Sequence, residues 1–109
     1  MLSARTINLD MVRGDTLTFA FEVGGIDHLD TAFFSCKVNA TDDEYTFQKS
    51  LGDGISAASS GKYRVRVAPE DTEDIDVGAY YYDLEIGVNS DVFTLMKGRL
   101  RVEQDITRH

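Results

Sequence analysis

Along most of this chain apolar and polar residues alternate one by one, which is the period of a β-strand, and helix-period patterns are nearly absent. Ile7, Leu9 and Met11 alternate with Thr6, Asn8 and Asp10, and Leu17, Phe19, Phe21 and Val23 alternate with Thr16, Thr18, Ala20 and Glu22. A third run, near 31–39, puts Ala32, Phe34, Cys36 and Val38 on one face; a fourth, weaker one covers 45–51. In "KYRVRVA" Tyr63, Val65 and Val67 point inward and Lys62, Arg64 and Arg66 outward. Two longer runs follow at 79–88 and 92–103. Turn residues separate all of these: Gly14-Asp15, Gly24-Gly25, Asp42-Asp43, Gly52-Asp53-Gly54, Ser59-Ser60-Gly61 and Asn89-Ser90-Asp91. Seven short strands at this spacing predict an all-β, seven-stranded antiparallel immunoglobulin-like β-sandwich, with a small closed barrel as the competing architecture.

The stretch "DIDVGAYYYDLEI" favours the sandwich. In immunoglobulin-like folds a tyrosine at the start of the sixth strand returns its hydroxyl to the chain at the preceding corner, and Asp76-x-Gly78-x-Tyr80 has that spacing. Tyr80 is therefore expected to form a structural corner with Asp76 and Gly78, and Tyr82 to fill the core. Alternation sends Tyr81 to the opposite face. Keeping apolar faces together in the last hairpin predicts Tyr82 opposite Leu100 and Leu84 opposite Gly98. On the outer face that register sets Tyr81 near Arg101, Asp83 near Arg99 and Glu85 near Lys97. Each opposite-charge pair across strands contributes roughly 0.2–1 kcal/mol, and Arg over Tyr adds a cation–π attraction.

Length and composition change this picture little. The 109 residues fit one domain, 1–109, large enough for its own core. One proline, nine glycines and 42% hydrophobic residues exclude a disordered or fibrous chain. Cys36 is the lone cysteine, expected as a buried, inert thiol in a reducing compartment. No window approaches the ~20 apolar residues of a membrane span, and "MLSARTINLD" lacks the pattern of a signal peptide, so synthesis in the cytoplasm is expected. His109 is compatible with a native end or with a tag. Nineteen acids against eleven bases give a net charge of −8, which disfavours nucleic acid as a partner. Arg64 and Arg66 are expected on a different sheet from Arg99 and Arg101, so the bases form no common groove.

The chemical inventory is thin. "RGD" at 13–15 reads as a turn rather than an adhesion motif. The acids Glu70, Asp71, Glu73, Asp74 and Asp76, like Asp42, Asp43 and Glu44, match no calcium loop; "PEDTED" reads as a helical turn opened by Pro69, with weak calcium binding left open. His28 has no catalytic companions, and no nucleophile, phosphate-loop, dinucleotide or paired-cysteine metal motif is present. No catalytic residue, cofactor, metal or small-molecule substrate is assigned. What remains is the outer face of the third, sixth and seventh strands. Alternation gives it Phe33, Tyr81, Phe93 and Leu95, with Arg99 and Arg101 among the bordering charges Lys37, Asp83 and Lys97, the pattern of an interaction surface. A bulge that shifts the register and buries Phe93 and Leu95 is the competing reading.

Nearly the whole chain resembles a family of small proteins encoded in the structural-gene clusters of tailed bacteriophages and prophages. The resemblance rests on "GDGI" at Gly52 to Ile55, Thr72, "G-x-Y-x-Y-D-L" at Gly78, Tyr80, Tyr82, Asp83 and Leu84, then Gly98 and Val102, and "DITR" at Asp105 to Arg108. "RGDTLTFAFEV" is similar to the family's opening strand, and 24–50 is least typical. It is similar as well to the N-terminal domain of phage baseplate upper proteins. The resemblance implies a non-enzymatic virion component at the tail or baseplate, made in the host cytoplasm. Its partners would be other virion proteins, met in multiple copies or as a homo-oligomer. Capsid decoration, a collar protein, and a host-surface carbohydrate- or receptor-binding module are the alternatives, the last expected to expose aromatics at loop tips.

Overall fold

The computed structural model describes residues 4–26, 28–59 and 61–107. Expectations that touch residues 1–3, Ser60, Arg108 and His109 lie outside the described residues. The all-β expectation is met, among the described residues, by nine strands: β1 Arg5–Thr6, β2 Leu9–Val12, β3 Leu17–Glu22, β4 Thr31–Lys37, β5 Phe47–Leu51, β6 Gly54–Ser59, β7 Lys62–Val67, β8 Gly78–Val88 and β9 Asp91–Glu103. One helical turn, α1 at Pro69–Thr72, is opened by proline as expected.

The expected division into seven strands and two sheets is corrected. The strands join in one sheet, in the order β1-β9-β8-β4-β5-β6-β7-β3 with β2 also pairing β9, which curls into a half-barrel. Two features make the difference. The first predicted strand breaks at residues 7 and 8 into β1 and β2, both parallel to β9. β9 carries Gly98 at the crossing (φ 157), where a Cβ would run into the Ile7 carbonyl oxygen and the Asn8 side chain. The second feature is β6. Its sequence, GISAAS, has one large apolar residue, the buried Ile55, so its period carried almost no signal.

The "GDGI" turn leads into β6. Gly54 adopts φ +97, a left-handed conformation that favours glycine. Asp53 N donates to Ser50 O, and Gly52 N donates to Ile55 O. This tight return lets the sheet bend onward from β5 to β6 and then to β7.

The core fills the inside of the curl. Phe34 of β4 is fully buried and meets Phe47, Tyr82 and, edge-on at 5.5 Å between centroids, Phe19 of β3. β3 and β4 lie four places apart along the sheet, so the Phe19–Phe34 contact is where the two limbs close on each other. Val65, Val67, Leu84, Ile86, Leu100 and Val102 complete the enclosed layer. Cys36 lies there too, its thiol pushed by burial from 9.0 up to about 12, as expected of an inert cysteine.

The "RGD" segment is a turn. Asp15 N donates to Val12 O at 3.0 Å, Gly14 N donates to the buried Thr72 hydroxyl, and Arg13 reaches Asp105 and the Ile75 carbonyl. With its side chain only 15% exposed, Arg13 clamps the turn to the α1 connection and the C-terminal segment.

Candidate docking surface

β4, β8, β9 and β5 lie side by side, and the residues between their buried positions face outward together. Strand register arranges these side chains in three cross-strand rows. The first is Lys37, Tyr81, Arg99; the second Gln48, Ser35, Asp83, Lys97; the third Ser50, Phe33, Glu85, Thr94. All of them but Ser50 line an open groove of about 850 Å³, which Tyr45, Ala40, Thr6 and Asn8 also line.

Most polar groups in the first two rows have local partners. The Arg99 guanidinium lies 4.0 Å from the Tyr81 ring and donates to the carbonyls of Tyr80 and Ala79. Lys37 Nζ lies 5.1 Å from the Tyr45 ring centre and donates to Asp42 O. Gln48 donates to the Ser35 hydroxyl. Asp83 differs. Half-buried at the groove floor, it has neither a hydrogen bond nor an ion pair among the described residues. Burial raises its carboxyl pKa, and Lys37 lowers it in part.

Of the expected surface residues, the structure brings Phe33, Tyr81 and Arg99 together here. Phe93 and Leu95 are corrected. A β-bulge lies between the pairs Leu84↔Met96 and Glu85↔Thr94, so Leu95 is the extra residue and parity inverts beyond it. Phe93 then sits opposite Ile86, and both Phe93 and Leu95 pack half-buried against the core. Arg101 stays outside but pairs with Ala79 and lines a separate hollow with Asn8, Asp10 and Val77. The hairpin register is corrected as well: Tyr82 faces Gly98, Tyr80 faces Leu100, Tyr81 faces Arg99 and Asp83 faces Lys97. The cause is the tight Asn89-Ser90 turn, both residues at positive φ, which sets Val88 against Asp91, together with the extra residue of the bulge, which moves every later pair by one.

The corner forms as predicted. Tyr80 donates its hydroxyl to Asp76 O at 2.5 Å, with Gly78 opening β8 between them. Tyr82 donates to Ile7 O at 2.5 Å, and burial carries its pKa up to about 12. Tyr81, 39% exposed, stands outside.

Sequence reasoning missed Ser35, Gln48 and Tyr45 as parts of the groove, although alternation along β4 and β5 carried the signal for the first two. It missed Lys49 too, which lies on the inner side of β5 and pairs with Asp71 at 3.1 Å. Asp71 meanwhile accepts from Ala68 N. Among the described residues no group of three or more His, Cys, Asp or Glu is placed to hold a metal, and His28 stands 3.6 Å from Asp30 at an exposed site.

No family model matches the chain, and no curated protein matches it in sequence. Solved structures do match in fold. CopC from Methylosinus trichosporium OB3b aligns at 11% identity and TM-score 0.52, over 98% of this chain and 91% of that one. The swine CD8aa homodimer aligns at 14% and 0.51, over 95% and 96%. The natural-cytotoxicity receptor NKp44 aligns at 15% and 0.51, over 93% and 99%. None of these neighbours is phage-related. At such low identity the likeness concerns fold alone, and the fold is immunoglobulin-like.

Proposed function

We propose that this protein is a non-enzymatic structural adaptor of a tailed-phage particle, at the tail or baseplate, docking through the outer face of β4, β8 and β9. The observation that carries this reading is the three-row face itself. Exposed Tyr81 and half-buried Phe33 sit among charged side chains, on strands whose opposite side packs into the core. A sheet buried on one face and built of aromatics and ordered charge on the other suits protein contact better than bulk solvation. The sequence resemblance to phage structural-cluster proteins supplies the setting, with other virion proteins as partners and the virion as the location. Repetition around a symmetric particle lets individually weak contacts add up.

The test is a phage carrying Tyr81→Ala with Phe33→Asp in this gene. Particles are expected to lack the protein while the purified variant keeps its melting transition. Wild-type copy number in mutant particles, or absence of the protein from wild-type virions by mass spectrometry, overturns the reading. Capsid decoration and a collar role share this chemistry and separate by whether the protein partitions with heads or with tails. One observation favours a host-surface binding module instead: Tyr45, 50% exposed, stands in the loop before β5 at the end of the groove. Retention of Tyr45→Ala protein in particles that no longer adsorb to cells would support that module.

A further inference from the structure

Acids and bases on the docking face are segregated by strand. β8 presents Asp83 and Glu85 outward, and its neighbour β9 presents Lys97 and Arg99. In the register Asp83 stands level with Lys97, Tyr81 with Arg99, and Glu85 with Thr94. Neither Asp83 nor Lys97 is in an ion pair with any described residue, although they are cross-strand neighbours. This arrangement is complementary to itself.

We propose that the face is covered by a second copy of this chain, docked about a two-fold axis that runs parallel to the strands between β8 and β9. The proposal rests on the docking reading above and names the occupant of that surface. Such a rotation lays β8 of one copy over β9 of the other at equal height. Asp83 then meets Lys97 of the second copy, and Tyr81 stacks against that copy's Arg99, with each contact made twice, as an isologous interface requires. A two-fold centred on β8 would set Asp83 against Asp83, and one centred on β9 would set Lys97 and Arg99 against their own kind. Like charges brought together at an interface cost several kcal/mol, so the segregation selects the axis between the two strands. Docking brings the Asp83 carboxylate a direct ion-pair partner where burial disfavours its charge and Lys37 offsets that only in part. Four strands at about 4.8 Å spacing and about seven residues at about 3.3 Å make a face of roughly 19 by 23 Å. That is smaller than the ~800 Å² each partner contributes to a standard interface, so the dimer is weak, in the micromolar range or above.

The experiment is sedimentation velocity on the full chain over a wide concentration range, with Asp83→Lys and Lys97→Asp measured separately and mixed. Wild type is expected to dimerise. Either charge reversal alone weakens the dimer about 100-fold, two symmetric contacts at about tenfold each. The mixture restores association, because the lysine placed at 83 in one variant then faces the aspartate placed at 97 in the other, and the native Lys97 faces the native Asp83. Raising salt weakens the wild-type dimer, a readout that needs no variant to fold. A monomer at every concentration, a salt-insensitive dimer, or a dimer that survives Asp83→Lys overturns the proposal. Its failure is separable from that of the adaptor reading: a monomer whose face variants still drop out of virions sinks only the pairing, and a dimer whose face variants still enter virions sinks only the adaptor role.

Discussion

Tyr80, Tyr81 and Tyr82 perform three different tasks because a strand sends neighbours to opposite faces and because each hydroxyl meets different surroundings. Tyr80 ties the strand start to Asp76, Tyr82 crosses the core to the Ile7 carbonyl, and Tyr81 lies outside beneath Arg99. The corner and the outer tyrosine are separable by measurement. Tyr80→Phe is expected to cost about 1 kcal/mol, seen as a lower urea midpoint, since it removes one hydrogen bond and leaves the Asp76 carbonyl short of a donor. Tyr81→Phe is expected to shift stability by less than about 0.5 kcal/mol. Equal losses would mean that the corner bond contributes nothing. Arg13 makes a related point: its residue type within "RGD" suggests recognition, yet three of its nitrogens are occupied by Asp105 and Ile75.

Among the strands, shape depends on a few places where the chain leaves regular geometry. The bulge at Leu95 turns Phe93 toward the core and leaves Thr94 on the outside. The "GDGI" turn bends the sheet from β5 to β6 beside the Lys49–Asp71 pair. A Cβ on Gly54 would press into the Lys49 side chain and lie 3.0 Å from the Arg66 carbonyl, whereas one on Gly52, at φ +83, meets nothing. Gly52→Ala therefore carries only backbone strain of about 1–2 kcal/mol. Gly54→Ala carries that strain plus displacement of the ion pair, and its melting temperature is expected to fall further. Equal melting temperatures for the two variants would remove Lys49 from this account.

Taken as one body, the half-barrel encloses two weak acids that keep their protons in the native state. Burial pushes Cys36 and Tyr82 both up to about 12 in the folded chain, from ordinary values of 9.0 and 10.0. The sign follows from linkage. Above pH 9.0 the unfolded chain releases protons that the native chain retains, so stability falls as pH rises toward 12. At about 1.4 kcal/mol per unit, Cys36 alone removes on the order of 4 kcal/mol at the top of that window. Urea midpoints should decline first between pH 9.0 and 10.0, and Cys36→Ala should abolish that early decline. A flat midpoint over that range in the wild type would show that the thiol is not enclosed.

Local periodicity was enough to specify strands, because burial on one side forces alternation whatever the neighbours are. From it follows the parity of residues 31–37 and 79–88, while local residue chemistry gave the corner at Tyr80, the turn at 13–15 and the helical turn opened by Pro69. Three things had no such local cause. The β6 strand carries a single large apolar residue, and its place comes from hydrogen bonding to β7 rather than from its own pattern. The hairpin register came from the Asn89-Ser90 turn combined with the extra residue at Leu95, a bulge that lets both Phe93 and Leu95 pack against the core. The groove needed pairing between residues far apart in the chain, such as Lys37 with Tyr81 and Asp83 with Lys97. Which side chains share a face of one strand is a local matter. Which strands lie side by side, and at what offset, depends on long-range packing that no short window of residues encodes.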